Sequence, residues 1–183
     1  MTPYFERDGI VIYHGDARDV LPSLQADVLI TDPPYGVAFD GKATKHTARG
    51  SGGYTTGDDA LIGPVVVAQA LALVKRGAVF PGNRNLFAYP FPQDIGCIYC
   101  PSGAGIGPWG FVCFHPILFY GKRPGDCKPT SIQSFDTADS NGHPCPKPTR
   151  WMRWVIALSS TDADVVVDPF AGSGTTLRAA MDL

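Results

Sequence analysis

The tightest constraint on this chain is the way one strand ends. Ala26 to Ile30 is an apolar run of strand length, and Thr31-Asp32-Pro33-Pro34-Tyr35 follows it directly. Two consecutive prolines cannot continue a ladder, because each lacks an N–H and has a fixed φ. The strand therefore stops at Asp32. A carboxylate, a rigid elbow and an aromatic ring are left at its carboxyl end, which is where open α/β sheets bind ligands. Taken alone, the stretch reads equally well as a strand and a turn that carries a tyrosine.

The rest of the chain reads as one α/β domain over residues 1–183. With 44% of its 183 residues hydrophobic, it can build a single substantial core. Gly9 to Tyr13 predicts a short strand ended by His14-Gly15-Asp16, and Asp16 to Leu24 a helix with Asp16 as its N-cap. With the strand that stops at Asp32, this predicts a parallel β-α-β unit. Leu61 to Val74 predicts a helix behind Pro64, and Gly77 to Phe80 a strand ending at Pro81-Gly82. Asp94 to Cys100 and Phe111 to Tyr120 predict two more strands. Lys147 to Leu158 places Trp151, Trp154, Val155 and Leu158 on one helical face, read as core.

Two stretches cannot supply core. Gly36 to Asp59 contains Lys42, Lys45, His46, Arg49 and six glycines, with almost no aliphatic residues. It predicts a long surface loop, a basic lid beside Asp32 whose Lys42, Lys45 and Arg49 contact phosphates. Gly125 to Gly142 predicts a second exposed, irregular segment. The formal charge of -2 gives no overall basic signature, so any polyanion has to be gripped by such a local patch.

No apolar run reaches the roughly 18 residues of a membrane span, and Met1 to Glu6 has no signal region, so a cytoplasmic protein with no membrane partner is expected. Five cysteines are then expected as reduced thiols. Cys97-x-x-Cys100, with Cys113 and His115 beyond, invites a zinc reading. The intervening Ile98 and Tyr99 and the run Phe111 to Phe114 favour buried strand cysteines, so no metal is assigned.

Ala163 to Val167 predicts a last strand, running into Asp168-Pro169-Phe170-Ala171-Gly172-Ser173-Gly174-Thr175-Thr176 and then a helix. Glycines at a strand-to-helix turn let a ligand approach the backbone and expose helix N–H groups. A phosphate loop would need Gly-Lys-Ser/Thr, and no lysine is nearby. Together, Asp32-Pro33-Pro34-Tyr35 and Asp168 to Gly174 resemble the beta-class amino-methyltransferases of DNA. His143-Pro144-Cys145-Pro146-Lys147-Pro148 resembles their cofactor segment, and His14-Gly15-Asp16 the acidic turn facing the cofactor's adenine. The four motifs occur in that family's order, from residue 14 to 176.

The resemblance implies a Rossmann-like, S-adenosylmethionine-dependent methyltransferase fold with circularly permuted motif order. It implies methyl transfer to the exocyclic amine of a flipped base in double-stranded DNA, in a restriction-modification setting in a prokaryote or phage. Asp32, Pro33, Pro34 and Tyr35 are the implied catalytic elbow. Asp16, Lys147, Pro148, Asp168, Phe170, Gly172, Gly174 and Thr175 are the implied cofactor residues. Asp at the first motif position resembles the adenine-N6 branch, where the cytosine-N4 branch more often has Ser.

Rival readings are cytosine-N4 methylation, methylation of a protein glutamine amide, and a truncated DNA-binding module without catalysis. In the family a second strand follows the glycine motif and its helix, ending in an acidic residue on the cofactor ribose, whereas here Met181-Asp182-Leu183 lies inside that helix. A gap in the sheet and weak cofactor binding are the resulting expectations. The chain is then a fragment, or a tail lies outside it, or a homodimer or partner chain completes the sheet.

Overall fold

The structure, a computed structural model, describes residues 1–36, 61–101, 106–126, 129–135 and 147–183. In chain order the elements are β1 (Phe5–Arg7), β2 (Ile10–Ile12), α1 (Ala17–Val20), β3 (Val28–Thr31), α2 (Gly63–Leu71), β4 (Arg76–Val79) and β5 (Asp94–Tyr99). Then come β6 (Ile106–Gly107), β7 (Gly110–Phe111), β8 (Phe114–Gly121), β9 (Ile132–Ser134), α3 (Thr149–Ser159), β10 (Val166–Val167) and α4 (Thr175–Met181). Among the described residues, no helix is long and apolar enough to cross a membrane.

Six strands form one sheet in the order β10-β3-β4-β8-β5-β9. β10, β3 and β4 are parallel, β8 runs antiparallel to both of its neighbours, and β9 is parallel to β5. β3 is buried along its whole length, because the sheet is covered on both faces. Val28 and Ile30 meet Trp151, Met152, Val155 and Ile156 of α3 and Ala179 of α4. Leu29, pointing the other way, meets Val66, Val67 and Ala70 of α2. Each such fully buried aliphatic side chain is worth about 1.5–3 kcal/mol of transfer free energy. Alternation within one unbroken apolar run thus produces a three-layer Rossmann-like domain, as expected.

The opposite end of the sheet is tied by charge. Arg76 at the start of β4 donates from Nε to the Ser159 carbonyl (2.8 Å) and from Nη2 to Asp164 (2.6 Å). The two side chains are only 15% and 9% exposed.

Several expectations are corrected. Gly9 to Tyr13 does not enter a parallel β-α-β unit; β2 pairs antiparallel with β1 as a separate ribbon, Phe5 opposite Ile12. The reason is the turn Asp8-Gly9, whose φ values of 50° and 79° close a two-residue hairpin. Among the described residues β10 therefore has β3 on one side and no strand on the other. Phe111 does not open β8. Gly107 and Gly110 pair across a Pro108-Trp109 turn, making β6 and β7 a small hairpin of their own. On α3 the buried stripe is Trp151, Met152, Val155, Ile156 and Ser159, with Trp154 and Leu158 only half-buried at its margin.

Candidate active site

The Asp32 elbow sits where β3 ends, and neighbouring elements fix it from three sides. Tyr35 Oη donates to Asp32 Oδ1 at 2.5 Å, so the prolines fold the ring back onto the carboxylate. Pro33 lies on Gly63 at the start of α2, where a Cβ would come within 2.7 Å of Pro33 Cβ. The Tyr35 ring lies on Gly82, whose φ is +68°. Asn85 Nδ2 donates to the Tyr35 carbonyl at 2.9 Å.

Lys147 enters the same place from the start of α3. Its Nζ donates to Asp32 Oδ2 at 2.7 Å and to Tyr35 Oη at 2.8 Å. It lies 5.2 Å from the Tyr35 ring centroid and 5.6 Å from that of Phe80. Pro148, buried behind it, accepts the amides of Trp151 and Met152 in the first turn of α3. His115, at the start of β8, packs on Trp151 with ring centroids 4.7 Å apart. Burial lowers His115 to about 4, the Lys147 charge pushes the same way, and the Asp32 charge opposes. The imidazole is therefore neutral at pH 7. Its Nε2 is buried with no hydrogen-bond partner among the described residues.

The second half of the site is at the end of β10. Asp168 Oδ1 accepts from Thr31 Oγ1 at 2.6 Å and from the Phe170 amide at 3.0 Å, and Oδ2 accepts from Thr176 Oγ1 at 2.6 Å. Burial raises the Asp168 carboxyl above the usual carboxylate range, against the pull of these three donors. Gly172 (φ 51°) and Gly174 (φ 79°) carry the chain through left-handed conformations that favour glycine, and Gly174 caps α4. Phe170 packs toward the α2-side core, Gly174 donates to the Ala171 carbonyl, and Thr175 opens the helix.

The carboxyl ends of the parallel strands β10 and β3 thus hold Asp168, the Phe170 to Thr175 turn and the Asp32 to Tyr35 elbow together, with Lys147 against the elbow. Thr31, fully buried, spans the two halves. Asp16 does not join this network. It caps α1, accepts from the Arg18 amide at 2.9 Å and pairs with the Arg18 guanidinium, which with that amide lowers its carboxyl to about 2. Lys42, Lys45, Arg49 and His143 to Pro146 lie outside the described residues. Cys97 and Cys100 are buried. A groove lined by Pro64, Val65, Ala68, Gln69, Ala88, Tyr89 and Pro90 runs along α2 and includes none of the predicted site residues.

Residues 109–183 match the family model described as DNA methylase, of the N6/N4 methyltransferases. The Type II methyltransferase M.ScaI of Streptomyces caespitosus is 24% identical over 95% of this chain and 74% of its own length. The Type II methyltransferase M.HindIII of Haemophilus influenzae is 47% identical over 45 residues, 25% of this chain and 15% of its own. Over these stretches the chain is similar in sequence to DNA methyltransferases. Its fold agrees. The M1.HpyAVI–SAM complex superposes with a TM-score of 0.64 at 18% identity, covering 93% of this chain and 86% of the other. PvuII DNA methyltransferase, cytosine-N4-specific, gives 0.63 at 15% identity over 93% and 77%.

The site has supports that sequence reasoning missed. Thr31 and Thr176 hold Asp168, Gly63 and Gly82 make room for Pro33 and the Tyr35 ring, and Asn85 pins the Tyr35 backbone. Thr31 and Thr176 border the motifs without a role of their own being legible, and Gly63 and Asn85 read locally as ordinary helix and turn residues. Pro81-Gly82, a turn signal just past a strand, marked the position of Gly82.

Proposed function

We propose that this chain transfers a methyl group from S-adenosylmethionine to the exocyclic amine of a base flipped out of double-stranded DNA, at adenine N6. The observation that carries the reading is the Asp32–Tyr35 contact of 2.5 Å at the end of β3, beside the Asp168 glycine turn. The glycine turn suits such a cofactor, because Gly172 and Gly174, at φ 51° and 79°, let a ligand approach the backbone closely beside the buried Asp168 carboxyl. Asp168, Phe170, Gly172, Gly174 and Thr175 would hold the cofactor at the glycine turn. S-adenosylmethionine supplies an electrophilic methyl group on a sulfonium and leaves as a neutral thioether.

The remaining chemistry belongs to the chain. A base amine is a poor nucleophile because its lone pair is delocalised into the ring. Asp32 Oδ and the Pro33 carbonyl, held in fixed directions by the elbow, accept its two N–H groups out of the ring plane and draw the nitrogen toward a tetrahedral geometry. Tyr35 stacks on the base, and flipping itself costs a few kcal/mol. With the methyl group received, the amine would carry a surplus proton, which Asp32 or water would take. Positioning supplies much of the rate.

Adenine is favoured by Asp at the first motif position; the fold likeness to a cytosine-N4 enzyme favours the alternative. Incubation with labelled S-adenosylmethionine and unmethylated genomic DNA, followed by nucleoside chromatography, tests both. N6-methyladenine is expected, with loss of all label in Asp32→Ala. N4-methylcytosine would overturn the base assignment, and an active Asp32→Ala would overturn the mechanism.

A further inference from the structure

We propose that Lys147 is the resident occupant of the target-amine position, which the flipped base must displace to enter. The inference rests on the methyl-transfer reading above. The resemblance assigns Lys147 to the cofactor; the geometry gives it a different post. Its nitrogen donates to the Asp32 oxygen left over by Tyr35 and to the Tyr35 hydroxyl itself, at 2.7 and 2.8 Å, closing a three-membered ring of contacts. Lys147 and Asp32 side chains are 12% and 25% exposed, so this is not a solvated surface pair.

The ammonium meets what a base amine would need: a carboxylate oxygen to accept an N–H, and the Tyr35 face on which a base would stack. Two nitrogens cannot share that space. Charge argues the same way. Methyl transfer moves positive charge from sulfur to the amine nitrogen, and a fixed ammonium on Asp32 would cancel the carboxylate and repel the arriving charge. Lys147 must therefore swing away before transfer. Its backbone is anchored on one side by buried Pro148, the N-cap of α3, so the swing falls to its long side chain. Lys147 tunes how readily the site accepts a base, and its ammonium keeps the carboxylate compensated until one arrives.

The test is steady-state methyl incorporation into unmethylated genomic DNA by wild type, Lys147→Met and Lys147→Arg, varying DNA and S-adenosylmethionine separately. Lys147→Met keeps the stem and removes the competing charge. It is expected to lower KM for DNA by about tenfold or more, the worth of one charge-assisted hydrogen bond. KM for the cofactor should change by less than about twofold. Lys147→Arg retains a cation able to pair with Asp32 and is expected to keep or raise the wild-type KM for DNA, which guards against a Met variant that folds poorly. An unchanged or raised KM for DNA in a folded Lys147→Met overturns the inference. A tenfold rise in KM for the cofactor alone returns Lys147 to the cofactor. No methyl transfer by wild type overturns the methyl-transfer reading itself, a failure distinct from the other two.

Discussion

Gly82→Ala is the sharpest probe of how the elbow is held. Gly82 has φ +68°, and a Cβ built there lies 3.0 Å from Tyr35 Cδ1 and 3.1 Å from Cε1. The left-handed conformation costs a residue with a Cβ about 1–2 kcal/mol. The contact adds a second effect, because the ring has to move by a few tenths of an ångström and cannot do so freely. Its hydroxyl is held by Asp32 at 2.5 Å and Lys147 at 2.8 Å, and its carbonyl by Asn85 at 2.9 Å. The displacement therefore falls on hydrogen bonds to charged groups, each worth about 1.5–3 kcal/mol. Urea unfolding should show a loss of about 1–2 kcal/mol, and kcat/KM for methyl transfer should fall by about tenfold or more. Gly82→Asn separates the causes: Asn tolerates positive φ better, so it should recover part of the stability and none of the activity. Native stability and native kcat/KM in Gly82→Ala would refute the packing argument.

Three further outcomes are expected, two from the structure and the last from the sequence. Arg76→Met leaves Asp164 buried without its cation and should cost about 3–5 kcal/mol in urea unfolding. Burial raises the Asp164 carboxyl, but its bonds to Thr161 and Arg76 outweigh that and lower it. Its contribution is therefore present above the usual carboxylate range and lost as pH falls, and Arg76→Met should flatten that acid limb. Thr31→Val removes one of three donors to Asp168, worth about 1.5–3 kcal/mol at pH 7. Because the Asp168 carboxyl is raised in the folded state, the native protein binds the extra proton, and stability falls as pH rises through that raised value. Thr31→Val should deepen the fall, read as a steeper loss of stability with rising pH above the usual carboxylate range. Neutralising Lys42, Lys45 and Arg49 together should weaken specific and random duplexes alike and flatten log K against log salt by about 0.9 per lost phosphate contact.

Much of the candidate site was legible because the chemistry there is local. A double proline stops a strand whatever surrounds it, so Asp32 and Tyr35 could be placed from five letters. The glycine turn after Val167 announces its left-handed residues in the same way. What failed was pairing between distant stretches. Gly-Ile-Val-Ile-Tyr has the content of an inner strand, yet Val11 is 41% exposed and the segment folds back on Phe5–Arg7. Asp8-Gly9 was the signal for that hairpin, and it outweighs apolar content over so short a run. The α3 stripe shifted by one residue because the helix is clamped between sheet and α4, which buries Met152 and Ile156 together with Trp151 and Val155. The Lys147–Asp32 contact was not legible because the two residues lie 115 positions apart in sequence.

The two halves of the site are coupled through a single hydroxyl. Thr31 is the last residue of β3, immediately before Asp32, and its Oγ1 donates to Asp168 at the end of β10. β10 contributes only Val166 and Val167 to the ladder, so its pairing with β3 is short. Together with the bonds of Val165 to Asp27 and Val28 it holds the start of the two strands and leaves the height of their carboxyl ends to local contacts. A 2.6 Å bond to a buried carboxylate, reinforced by Thr176 from α4, sets it. On the proposed reaction, Asp168 fixes the donor side and Asp32 the acceptor side. An in-line transfer depends on the distance between them, and rates are sensitive to misplacement on the scale of an ångström. Thr31 is then where fold stability and methyl-transfer geometry meet. Its loss should cost more in kcat than in cofactor affinity, because each half can still bind while the two no longer stand in register.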